Sequence, residues 1–136
     1  MIDIESDVFE IVATAVRNVY TDAFVVGEYV AAAPQFPAVS IVEMDNFTVR
    51  GTQSSSCMEN TVEVMYEVNV YSNKVRGKKA ECKAVLALID EQFLRLGFNR
   101  VMVMPTQNLN DATIYRMTAR YRAEVDTAKR IYRGVM

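Results

Sequence analysis

The side chains whose types and spacing could do chemistry are the carboxylates Glu43, Asp45, Glu63 and Glu67 and the guanidinium groups Arg116, Arg120 and Arg122. Clustered carboxylates could hold a divalent cation or share a proton, and arginines could grip phosphate or carboxylate in a bidentate fork. Glu63 and Glu67 share a face if their segment is a strand, but four strand residues place them roughly 13 Å apart, too far to ligate one metal. A metal-dependent hydrolase built on Asp45, Glu63 and Glu67 would need a neighbouring strand to close that gap. The chain has no histidine, which removes the commonest general base and the commonest neutral metal ligand. Its scattered glycines build no phosphate-cradling G-x-G-x-x-G or Walker loop. C-x-x-C, G-x-S-x-G and H-E-x-x-H are also missing, so neither an enzyme nor a cofactor is expected.

The elements that position these residues are two long alternating segments. Residues 113–125 place Tyr115, Met117, Ala119, Tyr121, Ala123 and Val125 on one face and Arg116, Thr118, Arg120, Arg122 and Glu124 on the other, the period of a half-buried strand. Such a strand would run roughly 40 Å, whereas a compact chain of this size is only about 37 Å across. The expectation is that it bends sharply or projects to pair with another chain. Thr61 to Ser72 is the second such segment, with Val62, Val64, Tyr66, Val68 and Val70 opposed to Glu63, Met65, Glu67, Asn69 and Tyr71. One strand thus carries acids and the other arginines, which suits an ionic seam between subunits. An RNA-binding role is weakened because Tyr115 and Tyr121 lie opposite the arginines, so stacking and phosphate contact would not share a surface.

Ile4, Val8, Ile11, Val12, Ala15, Val16 and Val19 recur at helical spacing, with Asp3 or Ser6 able to cap the start. Short strands are expected at Ala23 to Val30, Ala38 to Asn46 and Val101 to Met104. A helix over Ala80 to Leu96 buries Cys82, Val85, Leu86, Ile89, Phe93 and Leu96 and stops at Gly97. The order α-β-β-β-α-β-β predicts an α+β fold: a mostly antiparallel sheet with both helices packed on one face. Residues 1–136 read as a single domain with a long polar loop at 47–60 and a short C-terminal segment at 127–136, and loops of that length are often functional. Hydrophobic residues at 51% and charged residues at 24% are globular usage and argue against wholesale disorder. A net charge of −2 argues against a general nucleic-acid binder. The acidic start lacks a signal-peptide pattern and no apolar run approaches membrane length, so a cytosolic protein without membrane contact is expected. Cys57 and Cys82 read as reduced thiols.

The order of these segments carries a resemblance. A helix leads to P-Q-F-P at Pro34 to Pro37, then V-S-I-V-E at 39–43, a polar loop, and V-E-V-M-Y-E-V-N-V-Y-S-N running into the second helix. The chain closes on M-T-A-R-Y-R-A-E-V-D and I-Y-R. Nearly the whole chain resembles the small tail-terminator and tail-completion proteins of tailed bacteriophages and of phage-tail-like bacteriocin particles. The resemblance implies a homo-oligomeric ring, typically a hexamer, located in the virion tail or neck and assembled in the host cytoplasm. The ring would cap the tail tube and end its polymerisation, with sheath and head–tail connector proteins as further partners. Genomic DNA would pass through it without sequence-specific binding. On this reading Arg50, Gln53, Ser55 and Met58 are candidates for tube contact. Arg116, Arg120, Arg122, Glu63 and Glu67 are candidates for subunit or lumen contact. A head-completion or stopper protein of the neck is the near alternative, and a small α/β nucleic-acid-binding module the distant one.

Overall fold

A computed structural model describes residues 1–30, 32–49, 61–107 and 111–132. Two helices, α1 (Glu5–Val19) and α2 (Lys78–Leu96), and six strands follow one another as α1, β1 (Phe24–Val26), β2 (Ala38–Thr48), β3 (Thr61–Ser72), α2, β4 (Asn99–Thr106), β5 (Tyr115–Asp126) and β6 (Ile131–Tyr132). The fold is α+β. The sheet runs β1-β2-β3-β5-β4, with β6 also on β5. Every described strand pair is antiparallel except β1–β2.

The helices bury apolar stripes against one sheet face. From α1 come Val8, Val12, Ala13 and Val16. From α2 come Cys82, Val85, Leu86, Ile89 and Phe93, matching the helical spacing in the sequence. Beneath them lie Val62, Val64, Tyr66, Val68 and Val70 of β3 and Met117, Ala119, Tyr121, Ala123 and Val125 of β5. Each fully buried side chain of this size contributes roughly 1.5–3 kcal/mol of transfer free energy. An aromatic cluster forms the centre: Phe93 stacks on Tyr121 with centroids 4.3 Å apart and meets Phe98 edge-on at 5.1 Å, while Tyr66 meets Phe98 edge-on at 5.5 Å. The two tyrosine hydroxyls reach carboxylates, Tyr66 donating to Glu43 and Tyr121 to Asp90. Burial, reinforced by these carboxylates, pushes both phenols well above the ordinary tyrosine range, so they stay protonated donors. Burial also pushes the Cys82 thiol up to about 12, which makes it a small apolar filler rather than a nucleophile.

Local signals place the helix ends. The N-cap position of α1 is Ile4, which has no capping side chain; Asp3, one residue earlier, accepts the Glu5 N–H at 3.0 Å and satisfies one first-turn donor. At the end of α2, Gly97 adopts a left-handed conformation (φ 101°), and the Phe98 N–H returns to the Phe93 carbonyl. A Cβ at Gly97 would also sit 3.2 Å from the Ile131 carbonyl oxygen, so this stop packs directly against β6.

Several boundaries differ from the sequence reading. Strand β1 has three residues rather than eight. Ile11 and Val19 of the expected α1 stripe are exposed; α1 is turned so that Phe9 and Ala13 take the places beside Val8 and Val12. The edge strand β4 extends through Pro105, and Ile131–Tyr132, read as part of a C-terminal segment, form β6. A turn locked by Asp126 holds that last strand: its carboxylate accepts the Ala128 and Arg130 N–H groups, the Arg130 guanidinium and the Tyr132 hydroxyl. The length of β5 has an explanation inside the chain, because all twelve of its residues pair with β3 from Tyr115↔Ser72 to Asp126↔Thr61. Bulges at Met44 in β2 and Val101 in β4 flank this central pair and add twist to the sheet.

Candidate interaction surface

The face turned away from the helices carries the expected charges, and its register decides what they meet. Glu67 lies directly opposite Arg120, Asn69 opposite Thr118 and Tyr71 opposite Arg116. Arg120 donates through Nε and Nη2 to Glu67 Oε2 at 3.1 and 3.0 Å. The other Glu67 oxygen accepts from Asn69 Nδ2 at 3.1 Å. Asn69 Oδ1 in turn accepts from Arg116 Nε at 2.9 Å and from the Thr118 hydroxyl at 2.7 Å. Thr118 has one proton, already given to Asn69, so the 2.6 Å contact with Thr106 must have Thr106 as donor. A directional network thus crosses three strands, from Thr106 through Thr118 and Asn69 to Glu67. Glu63 faces Glu124, a like-charge pair, but Arg122, one position over, places its Nε 3.2 Å from Glu63. Arg116 also lies over the Tyr71 ring, 5.6 Å from its centroid.

The structure therefore brings Arg116, Arg120, Arg122, Glu63 and Glu67 to one face and pairs them with partners in their own chain. Glu67, Asn69 and Thr118 are buried although no helix covers them; neighbouring long side chains close over them. The Ser40 hydroxyl, opposite Asn69, is buried with no hydrogen-bond partner among the described residues. Arg50, Gln53, Ser55 and Met58 lie outside the described residues, as does Cys57.

The register sends Glu43 and Asp45 to opposite faces of the sheet. Glu43 pairs with Tyr66 in register and therefore points to the helix side, whereas Asp45, past the bulge, pairs with Met65 on the polar side. Burial raises the Glu43 carboxyl above the ordinary range, opposed by the Tyr66 hydrogen bond and reinforced by Glu5 and Asp3. Among the described residues no three acidic or cysteine side chains converge so as to hold a metal ion. None of the described helices is long and apolar enough to cross a membrane.

The surface that sequence reasoning missed is the outer edge of β4. No described strand pairs with it, and alternate residues direct backbone N–H and C=O groups away from β5. Val101, Val103 and Met104 along it are 43%, 41% and 50% exposed. A cleft opens on each side of this strand. On the helix side, ≈ 260 Å³ is lined by Lys83, Leu86, Ala87, Asp90, Arg100, Val103 and Met117. On the polar side, ≈ 490 Å³ is lined by Glu67, Met102, Met104, Thr106, Arg116, Thr118 and Arg120. The available signal was the uncharged run V-M-V-M ending in proline, a residue that sheets tolerate at their edges.

The opposite edge differs. Strand β1 has three residues, and Arg17 reaches across from α1 to donate to the Val25 carbonyl at 3.2 Å. Beyond β1, which pairs only with Ala38, Val39 and Ser40, the N-terminal segment meets β2: Glu5 accepts the Glu43 N–H at 3.2 Å and Asn46 donates to the Ile2 carbonyl at 2.9 Å.

Compared with known proteins, the sequence matches no protein-family model and none of the curated proteins.

Proposed function

We propose that this chain is a structural assembly subunit, a tail terminator that forms a ring on the end of a phage-type tail tube, ends tube polymerisation and joins the tube to the neck or sheath. The observation that carries the reading is the kind of surface the fold leaves accessible. Val101, Val103 and Met104 stand exposed along a sheet edge with unpaired backbone, a form suited to another polypeptide. The polar face supports the same reading: Glu67 and Glu63 already engage Arg120 and Arg122, which favours a rigid platform over a phosphate-gripping site. Tyr121 is buried in the core and Arg120 engages Glu67, so a stacking nucleic-acid surface has little to draw on. Rings need two different complementary patches per subunit, and the two unlike sheet edges give the subunit the required asymmetry.

Electron microscopy of tails assembled without this protein tests the proposal. Overlong or ragged tubes are expected, with normal length restored when the protein is supplied. Tubes of normal length in its absence would overturn the terminator role.

A further inference from the structure

Strand β4 ends the sheet, and the two clefts that flank it have matching chemistry. On the helix side Lys83 and Arg100 stand against one carboxylate, Asp90. Asp90 is already engaged by Arg100 at 3.0 Å and by the Tyr121 hydroxyl, and Lys83 has no ion-pair partner among the described residues. On the polar side Arg116 and Arg120 stand against one carboxylate, Glu67, which Arg120 and Asn69 already engage. Each cleft therefore holds one more cation than anion, beside apolar walls: Leu86, Val103 and Met117 in one, Met102 and Met104 in the other.

A strand added to the β4 edge would send alternate side chains into the two clefts, because successive residues point to opposite faces. Its backbone would complete the hydrogen bonds that β4 leaves open. With the assembly role above as the source of such a segment, we propose that β4 is the docking edge for an extended acidic and apolar segment of a partner protein. That segment would place one carboxylate in each cleft, towards Lys83 on one side and Arg116 on the other. A second copy of β4 fits less well. Asn99–Thr106 contains no carboxylate and would bring a further Arg100 to an edge already rich in cations.

The test uses the full chain and a capped octapeptide of alternating valine and threonine with two adjacent glutamates at its centre. Binding is followed by amide chemical shifts and hydrogen exchange. Slowed exchange at Val101 to Met104 is expected. Replacing the two glutamates by lysines should weaken binding about tenfold. Lys83→Glu and Arg116→Glu should each weaken it by about threefold to fivefold, the scale of a partly exposed ion pair. Methylating alternate peptide amides on the β4-facing side should abolish the exchange protection, because side-chain packing alone would survive that change. Val103→Lys should remove binding. Met104→Lys serves the same purpose if the first variant does not keep the parent circular dichroism. The proposal is overturned if the glutamate peptide fails to bind, if the lysine peptide binds equally well, or if the shifts map away from β4. Self-association in sedimentation that Val103→Lys abolishes would make a second copy the occupant and overturn the choice of partner. Tube length in tails lacking the protein reads the assembly role separately, so the two can fail independently.

Discussion

The two faces of the β3–β5 pair exclude water by different means. Under the helices, Val62, Val64, Tyr66, Val68 and Val70 meet Met117, Ala119, Tyr121 and Ala123 through contacts that need the right volume but little direction. On the other face Glu67, Asn69 and Thr118 are as secluded as many core residues, yet each is held by a directed bond to a named partner. The first arrangement supplies most of the stability. The second fixes register, because a slip of one residue would separate Glu67 from Arg120 and turn the whole polar set toward the helices.

The largest effect expected from breaking that contrast is on the apolar side. Phe93→Ala removes the ring stacked on Tyr121 and packed on Phe98, and should cost about 3–5 kcal/mol in urea unfolding. Next is the ion pair. Arg120→Met leaves Glu67 secluded with only Asn69 and should cost about 2 kcal/mol, less than for a fully buried pair because the arginine is partly in water. Replacing Glu67 and Arg120 together by methionine should recover most of that loss, to within about 1 kcal/mol of the parent. If the double variant instead costs as much as the two single changes summed, the polar face stabilises by independent contacts and the contrast fails.

The smallest effect concerns Glu43, the one carboxylate among the described strand residues that points to the helix side. Burial makes it titrate higher in the folded chain than in the unfolded one. Its contribution is therefore complete below the ordinary carboxylate range and is lost as the pH rises through the raised value. Glu43→Gln keeps an acceptor for Tyr66 and should stabilise the protein at neutral pH by less than about 1 kcal/mol, a gain that disappears in acid. Thermal melts of both proteins across that range would show it; a gain that grows in acid would contradict the assignment.

What could be read in the sequence was periodicity. The alternation of β3 and β5, the buried stripe of α2 and the Gly97 stop all stand in the structure as the spacing implies, because each depends on residues close in the chain. What could not be read was register between distant segments. Arginines at 116, 120 and 122 and glutamates at 63 and 67 look like unmatched charges along the sequence, and only the β3–β5 alignment makes Glu67 and Arg120 neighbours. The exposure of Ile11 was hidden for a related reason: helical spacing gives a stripe, while its rotation is set by what lies beneath. Strand β4 was legible as a strand but not as an edge, since edge position belongs to the topology. The tube-contact residues proposed at 50–58 lie outside the described part of the chain.

The sheet's spatial order also differs from the order of synthesis. Strand β4 is made before β5 but lies outside it, so it has no place in the sheet until its partners, Arg116 to Arg122, have left the ribosome. A nascent or truncated chain ending before β5 carries the V-M-V-M segment without presenting an edge. The outer edge of β4 therefore comes into existence only once β5 has taken its place in the sheet.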